Sequence, residues 1–222
     1  ARRGDALDRP SWILAAEQTA GRGRRGRPWR GGRGNLAATL VTEAGPDPAR
    51  AALRSFVAAL ALHDACLQVA PAATGLALKW PNDVLLNDGK LAGILLERTG
   101  EGKLLAGFGV NLVAAPPAEE LEPGAVHPVS LAQEAGAAVS PAGFLDALAP
   151  AFADWDARLA TQGFAPIRAA WLARAARLGQ AIRVRIGDTE RTGTFETIDE
   201  AGHLVLGTRE GRQAIAAADV HF

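Results

Sequence analysis

The hydrophobic and polar positions divide the chain into a long first part and a short second part. In the first part, apolar runs at 11–18 and 35–42 predict strands, and an apolar run at 48–69 predicts a helix that Asp47 and Pro48 begin. Four more strand-like runs follow in close succession, at positions 76–80, 83–86, 90–97 and 104–112. The pattern predicts a central mixed or antiparallel sheet flanked by helices, which is an α+β fold.

Two short polar segments predict the hairpin turns of this sheet. Asn87, Asp88 and Gly89 predict a tight turn in which the glycine takes the positive φ, and residues 99–102 predict another. The strands on either side of each turn should therefore be antiparallel neighbours.

The pattern changes after Gly179. Before it, residues 116–128 predict a loop, and three segments predict helices, at positions 129–135, 141–161 and 166–178. After it come short alternating strands with glycine-containing turns between them, at positions 181–186, 191–196, 203–206 and 213–216. This second part predicts a small, open β-barrel at 179–222 that is separate from a larger domain at 1–178.

Composition limits the classes of protein that fit this pattern. The 222 residues are 48% hydrophobic and 22% charged, which is typical of a soluble globular protein. No run of about 18 uncharged apolar residues occurs, so we expect no membrane span. Cys66 is the single cysteine, which excludes a disulfide framework and favours a reducing cytoplasm. The net charge of zero does not favour nonspecific binding of nucleic acid.

Positive charge is concentrated in one loop, at 21–34. Six arginines lie between Arg22 and Arg33, interspersed with glycines, and no acidic residue lies between Glu17 and Glu43. Glycine lets backbone N–H groups approach an anion closely, and arginine forks add bidentate hydrogen bonds, so the segment predicts a phosphate-binding loop. A solvated surface loop and an RNA contact are the alternatives. Because the guanidinium groups are not neutralised locally, we expect the loop to be mobile alone and to order around an anionic ligand.

A second group of unusual residues lies in the predicted hairpin at 79–97, which contains Lys79 and Lys90, two of only three lysines in the chain. Lysine is a compact point charge that fits where a wide guanidinium does not. Taken alone, such a lysine is better explained by solubility, and Asn82 and Asp83 could equally form a turn after Pro81. The histidines are not spaced as metal ligands, so we predict no metal site.

Together, these segments resemble the biotin protein ligases. The resemblance rests on four sequences, Gly-Arg-Gly-Arg-Arg-Gly-Arg-Pro-Trp at 21–29, Lys-Trp-Pro-Asn-Asp at 79–83, Lys-Leu-Ala-Gly-Ile-Leu at 90–95 and Gly-Phe-Gly-Val-Asn at 107–111. It covers essentially the whole chain. It implies a class II synthetase-like ligase core as the catalytic domain at 1–178 and an SH3-like β-barrel at 179–222, in a short form without an N-terminal DNA-binding domain.

The resemblance also implies an activity. The enzyme would use ATP to convert biotin to biotinyl-5′-adenylate, releasing pyrophosphate, and would then transfer biotin to a lysine of a biotin carrier protein, a subunit of acyl-CoA carboxylase. ATP and biotin are then substrates, with Mg²⁺ accompanying ATP. We expect a cytoplasmic protein with no membrane or nucleic-acid partner, and leave a homodimer open. The alternatives are a lipoate–protein ligase of the same fold and an RNA-binding module that uses the arginine loop.

Individual residues acquire expected roles from the same resemblance. Lys90 would lie between the biotin carboxylate and the α-phosphate, and Arg24 would retain the adenylate. Asp83 matches a position near the adenylate, and on chemical grounds we expect its carboxylate to accept a proton from the acceptor lysine or to orient that lysine. Positions expected to bind biotin or ATP form a larger set, Gln18, Gly21, Arg22, Gly23, Arg24, Arg27, Trp29, Lys79, Asn82, Lys90, Gly93, Gly107 and Asn111.

Overall fold

A six-stranded antiparallel sheet is the largest element of the fold. The computed structural model describes residue 7 and residues 9–117 and 126–221, so part of the predicted loop at 116–128 lies outside the described residues. The strands are Ser11–Leu14 (β1), Leu36–Glu43 (β2), Leu76–Lys79 (β3), Asp83–Leu86 (β4), Gly89–Arg98 (β5) and Lys103–Val110 (β6). Their order is β1-β2-β6-β5-β4-β3, and every neighbouring pair is antiparallel. The predicted α+β fold with a central antiparallel sheet is confirmed.

Three of the five helices in the described residues begin after a residue whose side chain caps them. The five helices are Pro48–Ala52 (α1), Arg54–Val69 (α2), Leu131–Ala135 (α3), Pro141–Gln162 (α4) and Phe164–Leu172 (α5). The capped helices are α1, α3 and α4. The Asp47 and Ser140 side chains accept hydrogen bonds from the backbone N–H groups of Ala49 (2.9 Å) and Gly143 (3.0 Å), and a proline follows each cap. The single helix predicted at 48–69 is interrupted at Leu53.

The two faces of the sheet have different neighbours. Ala38, Ile94 and Phe108 lie side by side on β2, β5 and β6, face the helices, and are at most 3% exposed. Side chains alternate between the faces along each strand, so the intervening positions Gly93 and Gly109 face away from the helices. The hydrophobic core therefore lies on one side of the sheet, and the opposite side is left for other contacts.

The stretch Pro48–Val69 is long and apolar enough to cross a membrane by composition alone, and it is the single such candidate in the part of the chain that the structure describes. In this fold it is a core element. Its residues Val57, Leu60 and Leu62 are fully buried, and α2 packs on the sheet and against α4. Its apolar composition is thus explained by the core of this protein.

The C-terminal part forms a second antiparallel sheet. Its strands are Ala181–Ile186 (β7), Thr189–Ile198 (β8), Leu204–Thr208 (β9), Gly211–Ile215 (β10) and Asp219–His221 (β11), in the order β10-β9-β8-β7-β11. The predicted small module of antiparallel strands is confirmed, and its sheet is not closed into a barrel: among the described residues, β10 and β11 are its two edges and do not pair with each other. Closure requires the first and last strands to pair, and β11 has only three residues, all paired with β7.

One hairpin turn differs in detail from its prediction. Asn87 and Asp88 have positive φ angles of 50° and 63°, whereas Gly89 does not and begins β5. Both central residues of the two-residue turn are therefore left-handed, which asparagine and aspartate tolerate. The position of the turn was predicted correctly, but the residues that take the positive φ were not.

Candidate active site

A row of residues crosses the large sheet on the face away from the helices. Lys79 lies opposite Asp83, Asp83 opposite Gly93, and Gly93 opposite Gly109, on β3, β4, β5 and β6. Directly opposed residues of antiparallel strands project to the same face. Two charged side chains therefore lie beside two glycines on this face. Because glycine has no side chain, the backbone of β5 and β6 has no side chain of its own at these two positions, which we call the glycine row.

A β-bulge brings Lys90 to this face. Val84 lies opposite Ala92, but Leu85 lies opposite Lys90, so Leu91 is an extra residue on β5. In an unbroken strand, Lys90 and Gly93 would point to opposite faces, and the extra residue reverses this relation. The Lys90 Nζ atom lies 2.8 Å from Asp83 Oδ1. The sequence alone gave no sign of the bulge that aims this lysine.

The indole of Trp29 lies on the glycine row. A Cβ atom added at Gly109 would lie only 2.5 Å from Trp29 Nε1 and 2.6 Å from Cζ2, and one added at Gly93 would lie 3.2 Å from Cζ3. The Lys90 Nζ atom is 5.7 Å from the centroid of the same ring, which is cation–π distance. Glycine is needed at Gly109 because the ring occupies the space of a side chain.

The Nε1 atom of Trp29 is buried and has no hydrogen-bond partner among the described residues. A buried donor without an acceptor is costly, and native proteins seldom leave one unpaired. This N–H beside Lys90 and the glycine row is therefore a suitable donor for an acceptor atom of a ligand.

The arginine loop is folded into a small hairpin over this face. The backbone N–H of Trp29 donates to the carbonyl of Gly21 (2.9 Å), and that of Gly23 donates to the carbonyl of Arg27 (2.7 Å). Residues Arg24–Gly26 form a 3-10 turn between them. A Cβ at Gly21 would lie 2.5 Å from the carbonyl oxygen of Trp29, so only glycine permits this pairing.

Arg24 points from the loop toward β4. Its Nη1 atom lies 3.5 Å from Oδ1 of Asn82, whose own amide donates to the carbonyl of Ile94 at 2.5 Å. Burial lowers the pKa of Arg24, with Arg25 and Arg27 adding to this, while the carboxylates of Asp219 and Asp83 oppose it. Asn82 directly precedes Asp83, and Asp83 pairs with Lys90. Arg24 from the loop and Lys90 from β5 therefore lie at the same end of β4.

Lys79 is the most buried cation of the group, at 9% exposed. Burial lowers its pKa, and the neighbouring charge of Lys90 acts in the same direction, whereas Asp83 opposes the shift. Burial keeps water away from this ammonium group, so an anionic ligand that reached it would further stabilise its charged form.

The expectation of an unneutralised loop is wrong. Asp219 Oδ2 lies 2.7 Å from Arg25 Nη1 and 2.6 Å from Arg27 Nη2, Glu97 pairs with Arg22 at 3.4 Å, and Glu17 pairs with Arg33 at 3.2 Å. The acids that face these arginines lie far away in the sequence or beside the loop rather than within it. The mobility that was predicted from the missing neutralisation remains untested.

The remaining predicted positions lie at the edge of the site or beneath it. Gln18 and Arg22 are exposed at the rim, and Gly107 lies on the same face as Gly109, where an added Cβ would make ordinary contacts at 3.5 Å. Asn111 is 2% exposed, and its amide nitrogen donates to the carbonyls of Val129 (3.0 Å) and Lys90 (3.5 Å). Asn111 thus stabilises the backbone of Lys90 from a buried position rather than facing the site.

Sequence reasoning missed two contributors to this arrangement. Asp219 contacts two loop arginines although it lies near the C-terminus, and Arg25 was not among the expected binding residues. The one available signal was the excess of arginines in the loop, which requires acids from elsewhere. Nothing in the sequence around Asp219 shows that it would supply one.

Two family profiles match the chain and define its class. The profile of the "Biotin/lipoate A/B protein ligase family" matches residues 2–111, and that of the "Biotin protein ligase C terminal domain" matches residues 178–222. The fold agrees: the biotin protein ligase from Aquifex aeolicus in complex with biotin and ATP superposes with a TM-score of 0.85 at 22% identity, over 99% of this chain and 92% of that chain.

Curated relatives narrow the class further. The chain is 56% identical over 220 residues to the biotin–[acetyl-CoA-carboxylase] ligase of Paracoccus denitrificans, which covers 97% of this chain and 92% of that protein. It is 32% identical to the bifunctional ligase/repressor BirA of Bacillus subtilis, over 95% of this chain but only 65% of that longer protein. The chain belongs to the biotin protein ligase family.

Proposed function

We propose that this protein activates biotin with ATP to biotinyl-5′-adenylate and transfers biotin to a lysine of a biotin carrier protein. The observation that carries the proposal is the convergence of Lys90 and Arg24, from two distant segments, at the end of β4 beside the glycine row on which Trp29 lies. Adenylation of a carboxylic acid requires such an arrangement because it brings two anions together.

In the first step, a carboxylate oxygen of biotin attacks the α-phosphorus of ATP. A bond forms between this carboxylate oxygen and the α-phosphorus. The bond from the α-phosphorus to the oxygen that it shares with the β-phosphate breaks, and pyrophosphate leaves. Lys90 is the cation best placed between the two anions, since Asp83 and the Trp29 ring fix its ammonium group. A fixed donor of this kind is worth on the order of a hundredfold or more in rate.

The loop is proposed to protect the product of that step. A mixed anhydride hydrolyses if water reaches it, so a cover over the site is needed. Trp29 and Arg24 lie on the inner side of the loop hairpin, one over the glycine row and the other beside Asn82. Gly21, Gly23 and Arg27 would serve by holding the hairpin in shape, and Gln18 by lining its entrance.

In the second step, the neutral amine of the acceptor lysine attacks the acyl carbon, the bond from that carbon to the phosphate oxygen breaks, and AMP leaves. The amine must first be deprotonated and must lose a further proton as the amide forms. Asp83 is proposed to accept a proton here, because its carboxylate is 14% exposed and already faces the site through Lys90.

Magnesium would enter with ATP. In the described parts of the chain, 9–117 and 126–221, no group of three histidine, cysteine or acidic residues is placed to hold a metal ion. The ion would accompany ATP as its phosphate complex rather than occupy a dedicated protein site, which is common for Mg²⁺. It would supply charge neutralisation to the leaving pyrophosphate.

Several broader expectations belong to the same proposal. The division into a catalytic domain at 1–178 and a C-terminal module at 179–222 is supported by the start of β7 at Ala181 and by the extent of the second family profile. A biotin carrier subunit of acyl-CoA carboxylase is the proposed partner, in the cytoplasm and without nucleic acid. A homodimer through β1 is part of the same proposal, since β1 is an edge strand on which Ile13 is 42% exposed.

The experiment is transfer to an isolated biotin carrier domain. The protein is incubated with the domain, Mg-ATP and either biotin or lipoate, and the mass of the domain is measured. We expect the mass of one biotinyl group, on the acceptor lysine, and no gain with lipoate. A lipoyl gain would make the protein a lipoate ligase, and no gain with either acid would contradict the proposal.

A further inference from the structure

The side chain of Asp219 is the meeting point of three arginines. Its Oδ2 atom lies 2.7 Å from Arg25 Nη1, 2.6 Å from Arg27 Nη2 and 3.6 Å from Arg185 Nη2. The Asp219 side chain is 14% exposed, whereas those of the three arginines are 37–40% exposed. The carboxylate is therefore largely shielded from solvent, and the three more exposed guanidinium groups lie around it.

These contacts join two parts of the molecule that are far apart in sequence. Arg25 and Arg27 belong to the arginine loop, and Asp219 begins β11 at the edge of the C-terminal sheet. Arg185 lies directly opposite Asp219 on β7, so it holds the carboxylate on its own sheet. The two shorter contacts are made to the loop.

The negative charge of Asp219 also affects two cations of the candidate active site, Arg24 and Lys79. Burial lowers the pKa of both Arg24 and Lys79, and the charge of Asp219 opposes the shift in each case. For Asp219 itself, burial raises the pKa, but the hydrogen bond and charge of Arg27, with help from Arg25 and Arg185, lower it overall. Asp219 is thus charged at neutral pH, beside cations that face the site.

The loop needs such an anchor because its turn is strained. Arg25 has a φ of 57°, in the left-handed region that a residue with a Cβ adopts only at a cost, and Gly26 follows with a φ of 74°. The strained residue points its side chain outward to Asp219, while its neighbour Arg24 points inward to Asn82. Fixing Arg25 therefore also fixes the direction of Arg24.

We infer that Asp219 is a positioning residue for adenylation: it clamps the arginine loop to the C-terminal sheet and so holds Arg24 and Trp29 over the site. The C-terminal sheet thereby contributes to the active site through one side chain. This inference deepens the proposed function and rests on it for its kinetic consequences, but the clamp itself can be tested without any activity.

The first test is limited proteolysis of the whole chain with trypsin. In Asp219→Asn, which keeps the size of the side chain and removes its charge, we expect cleavage after Arg24 and Arg25 to be about five- to tenfold faster. Glu196→Gln is the matched control, since Glu196 makes a 2.6 Å ion pair with Arg212 in the same sheet but does not contact the loop. Equal rates in both variants would overturn the inference. So would faster cleavage after Arg183 as well as in the loop, because that pattern means general loosening of the C-terminal sheet.

The second test is steady-state kinetics of ATP–pyrophosphate exchange in the presence of biotin. Asp219→Asn should raise the KM for ATP about five- to tenfold. In a background in which Arg25 and Arg27 are both replaced by Gln, the same substitution should raise it less than about twofold, because both loop contacts of the clamp are then absent. Additive effects would contradict the clamp. If the unmodified protein shows no exchange, the proposed function fails, whereas the proteolysis result still decides the clamp.

Discussion

The two segments that carry the positive charge of the site are held in opposite ways. Lys79 and Lys90 project from paired strands, and the backbone of Lys90 is bonded on both sides, to His127 and Val129. The loop arginines project from a strained hairpin that ion pairs hold from outside. Strand pairing can thus fix the position of a charged side chain such as that of Lys90. A loop that must open to admit a ligand is better held by ion pairs, because water or the ligand can replace them.

The largest effect should come from the rigid segment. We predict that Lys90→Gln lowers the single-turnover rate of biotinyl-adenylate formation by at least about a hundredfold, because it removes the fixed charge between the two reacting anions. The circular dichroism spectrum should not change, since the Lys90 side chain is 30% exposed and lies outside the core. Lys103→Gln, whose partner is Glu43 at the far end of the sheet, is the control. A rate within threefold of the unmodified protein would remove Lys90 from its role.

The next effect should arise where the two segments touch. In Gly109→Ala the new methyl group would overlap the Trp29 indole, so the ring must move and carry the loop with it. We expect about a tenfold or greater loss in kcat/KM for biotin, together with about 1–3 kcal/mol of lost stability from overpacking. Chemical denaturation and exchange kinetics measure the two quantities. Gly100→Ala, in an open turn with no atom near the added carbon, should change neither. Unaltered kinetics in Gly109→Ala would mean that kcat/KM for biotin does not depend on the position of the Trp29 ring.

A distinct effect is expected from the inner side of the loop. Arg24→Gln should leave adenylate formation measurable but raise the release of biotinyl-adenylate into solution by about tenfold, since a partly buried guanidinium that faces the site is lost. Rapid ultrafiltration followed by mass spectrometry of the filtrate measures the release. If the free adenylate does not increase, Arg24 is not the residue that retains it.

The smallest effect should come from the outer side. Arg22 is 64% exposed and pairs with Glu97 at 3.4 Å, and exposed pairs of this kind contribute little. Arg22→Gln should therefore change kcat/KM for ATP by no more than about threefold. Although Arg22 and Arg24 are only two residues apart, a large loss in Arg22→Gln would show that the inward and outward sides of the loop are not functionally distinct.

The sequence was most informative where a local rule decides the structure. The caps at Asp47 and Ser140 and the alternating strands placed most elements correctly, because hydrogen bonding and side-chain periodicity act over a few residues. The C-terminal strands β7 to β10 and their open arrangement were also predicted, but not the short edge strand β11, which is placed by its pairing with β7.

The structure brings several of the predicted site residues together, their roles stay predictions, and their arrangement was not foreseen. The motifs around Arg24 and Lys90 indicated a phosphate-handling site, but the bulge at Leu91 that turns Lys90 to the correct face depends on register with β4. Asp219 was missed because its partners lie 192 and 194 residues away in the chain. Long-range charge pairing leaves no local pattern, so the clamp becomes visible only in the folded chain.

The most direct measurement of the central claim is ATP–pyrophosphate exchange with the unmodified protein, with and without biotin. If cations from the loop and the strands meet to activate a carboxylate on phosphate, exchange should require biotin and Mg²⁺ and should be absent with lipoate. Exchange that proceeds equally without biotin, or no exchange at saturating biotin and ATP, would contradict the account.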